Sequence, residues 1–283
     1  MIDLKPRIIA LDLDGTLLNS EKKITPRTYD ALQRASERGV EIVPSTGRFY
    51  TGMPQAVRDL PFLHYAITIN GSRVFDLRTG EIVYKSEIPF GRALEIMELL
   101  DRWPIVYDCY MDDQGWMTAS MKGNVIQYTT EMQLVRLVRD LRQSVPELKQ
   151  FLRDYAPAHP DTEGVQKISV FAGDEALRKA IAAELNAAFS DIVVSSSMAT
   201  NLEINNLTAH KGLALWALAD HIGVPREATM AFGDGLNDVQ MLDYAGIAVA
   251  MQNSMEPVFA HADLVAPDND HDGVAEIIEK IVL

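Results

Sequence analysis

Apolar and polar positions alternate along the first part of the chain in a way that predicts strands and helices in turn. Residues 8–11 form an unbroken apolar run, and residues 40–44 form a second, largely apolar one. Such short runs predict strands that are buried in a parallel sheet. Between them, Thr25 and Pro26 supply an N-cap and a first helical residue, and Gly39 ends a stretch with apolar residues at helical spacing.

A third apolar run at 63–69 continues this order, and the Asn70-Gly71 pair after it predicts a turn. Strand, helix, strand, helix, strand is the order of a doubly wound fold, in which helices cover both faces of a parallel sheet. The same pattern of short apolar runs returns late in the chain, where residues 229–232 predict a short buried strand.

The pattern differs between residues 86 and 206. Paired strands and amphipathic helices follow each other there without Gly-rich phosphate turns, which indicates an inserted α+β unit. Within it, we expect a hairpin that turns at Gln114-Gly115 and a mobile loop at 155–166, which contains two prolines.

A chain of 283 residues is long enough for two domains. We therefore expect an α/β protein with a doubly wound, Rossmann-like parallel-sheet core built from residues 1–85 and 207–283. Residues 86–206 are expected to form the inserted domain.

Composition and charge exclude several classes of function. A net charge of −14 and the lack of a basic stripe argue against nucleic acid as a partner. The single Cys109 cannot form an internal disulfide, and no apolar run reaches the roughly 18 residues that a membrane span requires. Because no charged and apolar leader opens the sequence, we expect a cytoplasmic protein that does not bind a membrane. An acidic protein can still bind a small phosphorylated molecule if a metal and a few basic groups reverse the field in a cleft.

Acidic residues stand where predicted strands end. Asp12 and Asp14 follow the first strand two residues apart, so their side chains share one side of an extended backbone. Two carboxylates this close repel each other unless a cation or a shared proton separates them, and a divalent metal site is therefore one interpretation. A strand end with two solvated Asp residues is the other. Asp234 and Asp238 follow the strand at 229–232 in the same way.

Hydroxyl groups and a glycine follow the second predicted strand. Ser45, Thr46 and Gly47 precede Arg48 where a helix would begin, which is an anion-binding arrangement, although an ordinary Ser or Thr helix cap is the alternative. Combined with the acidic strand ends and with Lys211 at a predicted helix start, these groups are what metal-assisted phosphoryl transfer through an aspartyl phosphate requires.

The order of these motifs resembles the haloacid dehalogenase superfamily, and within it the Cof-type, subclass IIB, sugar-phosphatase-like branch, which has a large α/β cap inserted after the third core strand. The likeness extends over essentially the whole chain. It rests on six motifs: Asp12 to Leu18 (DLDGTLL), Ser45 to Arg48 (STGR), Ile67 to Ser72 (ITINGS), Leu202 to Ile204 (LEI), His210 to Gly212 (HKG) and Gly233 to Leu242 (GDGLNDVQML).

The resemblance implies roles for the acidic residues. Asp12 would be the nucleophile, and Asp14 would be the general acid and base. Asp12, the backbone carbonyl of Asp14 and Asp234 would bind Mg²⁺. Asp238 would support either the metal shell or Lys211.

The resemblance also implies which groups hold the transferring phosphoryl group. Thr46, the Gly47 amide and Lys211 would bind it, with Lys211 also acting in catalysis, and Asn237 would face it. His210 departs from the family, which often has a small residue before the Lys. Because Asp14 already fills the acid and base role, we interpret His210 as a surface residue at a helix start.

The favoured function is a Mg²⁺-dependent phosphatase for a small phosphorylated metabolite, with a sugar phosphate as the expected substrate and a monomer or small homo-oligomer as the expected assembly. A phosphomutase of the same superfamily and a non-catalytic regulator that binds a phosphorylated ligand are the alternatives. Substrate choice is expected to depend on the insert. The candidate contacts, for which packing in the domain core is the alternative, are Tyr107, Asp108, Tyr110 and Trp116.

Overall fold

The computed structural model describes residues 5–196 and 199–283. The chain divides into two compact units, one made of Met1–Lys85 and Ala209–Leu283 and the other of Ser86–Thr208. We propose that these units are the core domain and the inserted domain. Among the described residues, no helix has the length and apolar character needed to cross a membrane.

The first segment begins the core unit. Its helices and strands, in chain order, are β1 (Ile8–Leu11), α1 (Pro26–Glu37), β2 (Glu41–Pro44), α2 (Gln55–Arg58), β3 (Tyr65–Thr68), β4 (Arg73–Asp76) and β5 (Ile82–Lys85). Helix α1 begins as predicted, because the Thr25 hydroxyl accepts a hydrogen bond from the Thr28 amide at 3.2 Å.

The second unit follows in one piece. Its elements are β6 (Ile88–Pro89), α3 (Phe90–Leu100), β7 (Val106–Met111), β8 (Gln114–Thr118), α4 (Ala119–Asn124), α5 (Met132–Leu141), β9 (Arg142–Val145), α6 (Leu148–Ala158), β10 (Gly164–Val165), β11 (Lys167–Phe171), α7 (Glu175–Ala188), β12 (Ile192–Ser195) and β13 (Asn201–Asn206).

The last segment completes the core unit. Its elements are α8 (Lys211–His221), β14 (Thr229–Gly233), α9 (Val239–Tyr244), β15 (Ile247–Met251), β16 (Leu264–Ala266) and α10 (Gly273–Ile281). Single turns of 3₁₀ helix lie at Tyr50–Gly52, Ile69–Gly71, Val125–Gln127, Arg226–Ala228, Leu236–Asp238 and Glu256–His261.

The core unit is built on a five-stranded parallel sheet with the order β16-β15-β14-β1-β2. Strand β1 lies between β14 and β2, with Ala10 opposite Ala231 on one side and Val43 on the other. Parallel bridges from β2 continue to β3, which pairs antiparallel with β4. The carboxyl ends of β1, β2 and β14 therefore meet at one edge of the sheet, the edge at which α/β proteins bind ligands.

Helices cover both faces of this parallel sheet, as predicted. Along β1, Ile9 and Leu11 belong to one buried apolar cluster, and Ile8 and Ala10 belong to another on the opposite face. All four side chains are fully buried. Burial on both faces explains why the run is apolar throughout instead of alternating.

The second unit contains a six-stranded sheet with the order β12-β13-β11-β7-β8-β9, in which every pair is antiparallel except β8 with β9. The predicted hairpin is present, but its turn is at Asp112 and Asp113, with φ of 48° and 56°, and not at Gln114-Gly115. Asp tolerates positive φ in a tight turn. Gly115 is needed inside β8, because a Cβ there would lie 2.2 Å from the Arg142 side chain.

The segment expected to be a mobile loop is partly helical. Helix α6 continues to Ala158 and includes Pro157. Pro157 lies in the last turn of the helix, so the ring disturbs only the end of the hydrogen-bond ladder.

Candidate active site

Asp12 follows β1 directly and is 8% exposed. Its backbone amide donates to the Phe232 carbonyl at 3.0 Å, so the strand pairing with β14 continues to this residue. The chain then turns through Gly15, whose φ is +93° and where a Cβ would lie 2.4 Å from Oδ2 of Asp234. Only glycine permits this turn and this approach, which brings the ends of β1 and β14 together.

Lys211 is the first residue of α8 and is fully buried. Its ammonium group donates to Oδ1 of Asp12 at 2.5 Å and to Oδ1 of Asp238 at 2.6 Å. Burial disfavours the charged ammonium, but the two carboxylates outweigh it and raise the pKa of Lys211 above its ordinary value. Lys211 therefore keeps its positive charge in the interior.

Three carboxylates form a cluster at this edge of the sheet. Oxygens of Asp12, Asp234 and Asp238 lie within 4.8 Å of one another. Burial raises the pKa of Asp12 well above its ordinary value, against the opposing charge of Lys211 and with the neighbouring carboxylates adding to the rise. Burial and the charge of Asp238 raise the pKa of Asp234 to about 6. Lys211 alone therefore does not offset the negative charge that the cluster would carry with all three carboxyls ionised.

A hard divalent cation suits this cluster, because carboxylate oxygens are its preferred ligands and its charge would relieve the repulsion. The three carboxylates differ, however, in how readily their oxygens could bind a cation. Both oxygens of Asp238 already accept hydrogen bonds, one from Lys211 and the other from the amides of Asp234 and Gly235 at 3.1 and 2.9 Å. Asp238 is therefore placed to support Lys211 and the loop, and Asp12 and Asp234 are better placed as ligands.

Asp14 is not a member of this cluster of three carboxylates. The Arg48 guanidinium donates to both of its oxygens, from Nε at 2.9 Å and from Nη2 at 3.1 Å, and Lys22 donates to Oδ1 at 2.8 Å. Partial burial opposes ionisation, but the charge of Arg48 and the contact with Lys22 lower the pKa of Asp14. The resting carboxyl is therefore ionised, which is the form of a base.

Thr46 and Gly47 lie at the end of β2, beside the carboxyl end of β1. The buried Thr46 hydroxyl accepts a hydrogen bond from the Arg48 amide at 3.2 Å. A Cβ on Gly47 would lie 2.8 Å from the side-chain oxygen of Asn70, and Asn237 donates to that same oxygen at 3.2 Å. The structure thus brings Gly47 and Asn237 together around Asn70.

Three residues of this site had no assigned role in the sequence interpretation. Arg48 stands in the STGR motif without a role of its own, and the sequence pattern at Asn70 predicts only a turn. No local sequence pattern indicates a role for Lys22, because it contacts Asp14 from a loop, in which its own φ is 61°. Only the folded chain shows that all three contact predicted site residues.

The four candidate residues of the insert fall on two faces of its sheet. Tyr107 belongs to a buried apolar cluster, and the partly buried Trp116 packs against it; Tyr107 donates to Asp101 at 2.7 Å, and Trp116 donates to the Met111 carbonyl at 3.3 Å. These two contacts fit the packing alternative. Asp108 and Tyr110 alternate with Tyr107 along β7 and point to the opposite face.

That opposite face carries a buried network of charges. Arg142 donates to Oδ2 of Asp108 at 2.6 Å and to the Tyr110 hydroxyl at 2.5 Å, and Lys167 donates to Glu203 at 3.1 Å. Both cations lie over the Tyr110 ring, 4.6 and 4.5 Å from its centroid. Among the described residues, Oδ1 of Asp108 is buried without a hydrogen-bond partner.

The chain is similar to known proteins over nearly its whole length. The family model for haloacid dehalogenase-like hydrolases matches residues 9–278. Phosphatase YwpJ of Bacillus subtilis is 30% identical over 98% of this chain and 100% of its own length. Pyridoxal phosphate phosphatase YbhA of Escherichia coli is 29% identical over 96% of this chain and 97% of its own.

One solved structure extends the likeness to the fold. A haloacid dehalogenase-like hydrolase from Bacteroides thetaiotaomicron is 29% identical, with a TM-score of 0.81, over 98% of this chain and 100% of that one. The predicted fold class, a parallel-sheet core with an inserted α+β unit, is confirmed.

Proposed function

The chain belongs to the haloacid dehalogenase-like hydrolases and is a phosphatase, and from this premise we propose that Asp12 attacks the phosphorus of a small phosphorylated metabolite. The proposed reaction is Mg²⁺-dependent and passes through an aspartyl phosphate. The observation that carries the proposal is the buried contact between Lys211 and Asp12. A cation fixed against the attacking carboxylate stabilises the negative charge of the transferring group.

In the first step, an oxygen of Asp12 forms a bond to phosphorus while the bond from phosphorus to the leaving oxygen breaks. Asp14, which must first take up a proton from solvent because its resting form is ionised, gives that proton to the leaving oxygen, so that an alcohol departs. Arg48 and Lys22 lower the pKa of Asp14. The carboxyl must therefore part from these cations to carry that proton.

In the second step, water attacks phosphorus and Asp14 takes the proton of that water. The bond between phosphorus and Asp12 breaks, which restores the carboxylate and releases inorganic phosphate. The ion pairs of Asp14 with Arg48 and Lys22 favour the ionised form that this step needs.

Asp12, Asp234 and the backbone carbonyl of Asp14 are the groups that we propose to hold the metal. Mg²⁺, when bound, neutralises charge on the phosphoryl oxygens. Asp238 supports the metal site through the Asp234 amide and through Lys211.

We propose that Thr46, the Gly47 amide and Asn237 face the phosphoryl oxygens. The support is their position at the carboxyl ends of β2 and β14, where backbone amides and hydroxyls can surround an anion. Asn70 holds the side chain of Asn237 beside Gly47.

The substrate class is a separate part of the proposal. Family membership leaves it open, since the relative YbhA is named for pyridoxal phosphate. We propose a sugar phosphate, because the six sequence motifs of the chain resemble those of the sugar-phosphatase-like branch of the superfamily.

The test is the release of inorganic phosphate from a panel of hexose phosphates, pentose phosphates, pyridoxal 5′-phosphate and a generic aryl phosphate. The proposal predicts the highest kcat/KM for a sugar phosphate. A higher value for pyridoxal 5′-phosphate would contradict the substrate class. Transfer of the phosphoryl group to another hydroxyl without free phosphate would indicate a phosphomutase, and no turnover of any compound would indicate a regulator.

A further inference from the structure

His210 directly precedes Lys211 and has extended backbone angles, with φ of −141° and ψ of 151°. Its Nδ1 accepts a hydrogen bond from the Leu213 amide at 3.1 Å. This is the geometry of an N-cap, which satisfies one of the unpaired amides in the first turn of a helix. The helix that His210 caps is α8, the helix that carries Lys211.

The cap defines the tautomer of the imidazole ring. A backbone amide can only donate, so Nδ1 must be unprotonated and the ring proton must be on Nε2. A second proton would have to bind Nδ1, which would remove the acceptor. Ser, Thr, Asn and Asp are the usual capping residues, and Ser and Asn can accept this bond without titrating in the same range.

The 3₁₀ turn Ile69–Gly71, which follows β3, also confines the backbone at His210. Gly71 has φ of +94°, and a Cβ there would lie 2.5 Å from the His210 carbonyl. The position of Lys211 thus depends on two contacts with its neighbour, a close approach of backbone and the imidazole cap.

The outer side of the ring borders a groove of about 300 Å³ in the core unit, lined by Gly212, Leu213, Trp216, Gln240 and Tyr244 along with His210 itself. The ring is only partly buried, so protons can reach it. Besides Lys211 next to it in the chain, the titratable group of these lining residues is Tyr244, whose pKa burial raises. Burial lowers the pKa of His210.

We propose that His210 is a positioning residue for Lys211, and that its neutral imidazole fixes the helix start from which the ammonium group reaches Asp12 and Asp238. This inference rests on the proposed role of Lys211 in phosphoryl transfer. Protonation removes the cap and places a cation at the positive end of the helix dipole, so the first turn loosens. Because burial lowers the pKa of His210, the loosened form appears only below the ordinary histidine value of about 6.5.

The test compares His210→Ser with His210→Ala. His210→Ala removes the cap, and we expect kcat to fall about fivefold at pH 8 with KM changed less than about twofold, the size of an ordinary N-cap effect expressed as a rate. His210→Ser keeps an acceptor that does not titrate, and we expect it to restore kcat at pH 8. Asp174→Ala is the matched control, because Asp174 caps α7, which carries no proposed catalytic residue.

The pH profile is the readout that a merely structural role would not move. The ratio of kcat in the parent to kcat in His210→Ser should be constant above pH 7 and should fall below about pH 6. A constant ratio from pH 5 to pH 8, or full activity of His210→Ala at pH 8, would overturn the inference. If His210→Ala does not fold, the pH dependence of the ratio of kcat in the parent to kcat in His210→Ser still tests the inference.

A spectroscopic measurement separates this inference from the proposed function. Two-dimensional ¹⁵N NMR of the imidazole ring should show the proton on Nε2 at pH 8 and the loss of that tautomer as the ring titrates. A proton on Nδ1 at pH 8 would refute the cap whether or not the protein is active. An inactive parent with the expected tautomer would instead refute the proposed function and leave the cap in place.

Discussion

The ammonium group of Lys211 lies 2.5 Å from Oδ1 of Asp12, although 199 residues separate the two in the chain. Both side chains are buried, and Asp238 holds the ammonium from the other side at 2.6 Å. Because a buried charge without a partner is strongly unfavourable, each member of this triad depends on the others.

Lys211→Ala should lower kcat about 100-fold or more for every substrate alike, because it removes charge stabilisation from the group that is common to all of them. Steady-state kinetics on two sugar phosphates and one aryl phosphate measure this. Lys179→Ala removes an exposed Lys from a surface pair with Glu175 and should leave kcat unchanged. Unequal losses among the three substrates would show that Lys211 contacts the leaving group instead.

Chelation should stop turnover, and Mg²⁺ should restore it. Asp234→Asn should raise the Mg²⁺ concentration needed for half-maximal activity, because it removes a proposed ligand. Asp238→Asn should mainly lower kcat and stability, because both Asp238 oxygens accept hydrogen bonds inside the protein. Titration of activity with Mg²⁺ compares the two variants. Full turnover of the parent in excess chelator would contradict metal dependence.

The metal-free protein should lose stability as the pH rises from about 4 to 7. The folded-state pKa of Asp234 is raised to about 6, so the stability that this group contributes is present below its unfolded value near 3.9 and is lost as the pH passes 6. The loss amounts to at most about 3 kcal/mol. Thermal unfolding in chelator at pH 5 and 7 tests this.

The matched control for this pH dependence is Asp234→Asn, which should flatten it. Mg²⁺ should raise the Tm of the parent more at pH 7 than at pH 5, because it must displace protons at the lower pH. An equal shift of Tm by Mg²⁺ at both pH values would contradict the assignment of the cation to this cluster.

Tyr110→Phe and Tyr107→Phe remove the same hydroxyl from opposite faces of β7. We expect Tyr110→Phe to change kcat/KM unequally among substrates, because it removes an acceptor of Arg142 in the insert, on which substrate choice is expected to depend. Tyr107→Phe loses a hydrogen bond to Asp101 and should cost about 1 kcal/mol of stability without changing substrate ratios. If both variants lower kcat/KM for all substrates in the same proportion, Tyr110 does not contribute to substrate choice.

The parts of the site at strand ends were predictable from local patterns. An apolar run that ends in an acid placed Asp12 at the edge of a buried sheet, and the same reasoning placed Asp234 on β14. Thr25 and Pro26 predicted the start of α1 because capping depends on a few neighbouring residues.

Contacts between distant segments were not predictable in this way. Arg48 reaches Asp14 across 34 residues, and Arg142 reaches Asp108 across another 34. Neither contact produces a periodic pattern in the sequence, because both depend on the packing of segments that are distant in the chain. The hairpin turn was predicted in the wrong place for the same reason. Gly115 is typical of a turn, but in the structure it lies in β8, where the Arg142 side chain leaves no room for a Cβ.

Asp12 is the residue that we propose carries the phosphoryl group. Borohydride reduces an acyl phosphate, so quenching a reacting mixture with it should convert Asp12 to homoserine, which peptide mass spectrometry identifies. Asp12→Asn should retain its fold, lack this product and lose turnover by at least about 1,000-fold. We expect homoserine at position 12 in the parent alone. Homoserine at another Asp, or turnover of Asp12→Asn within tenfold of the parent, would contradict it.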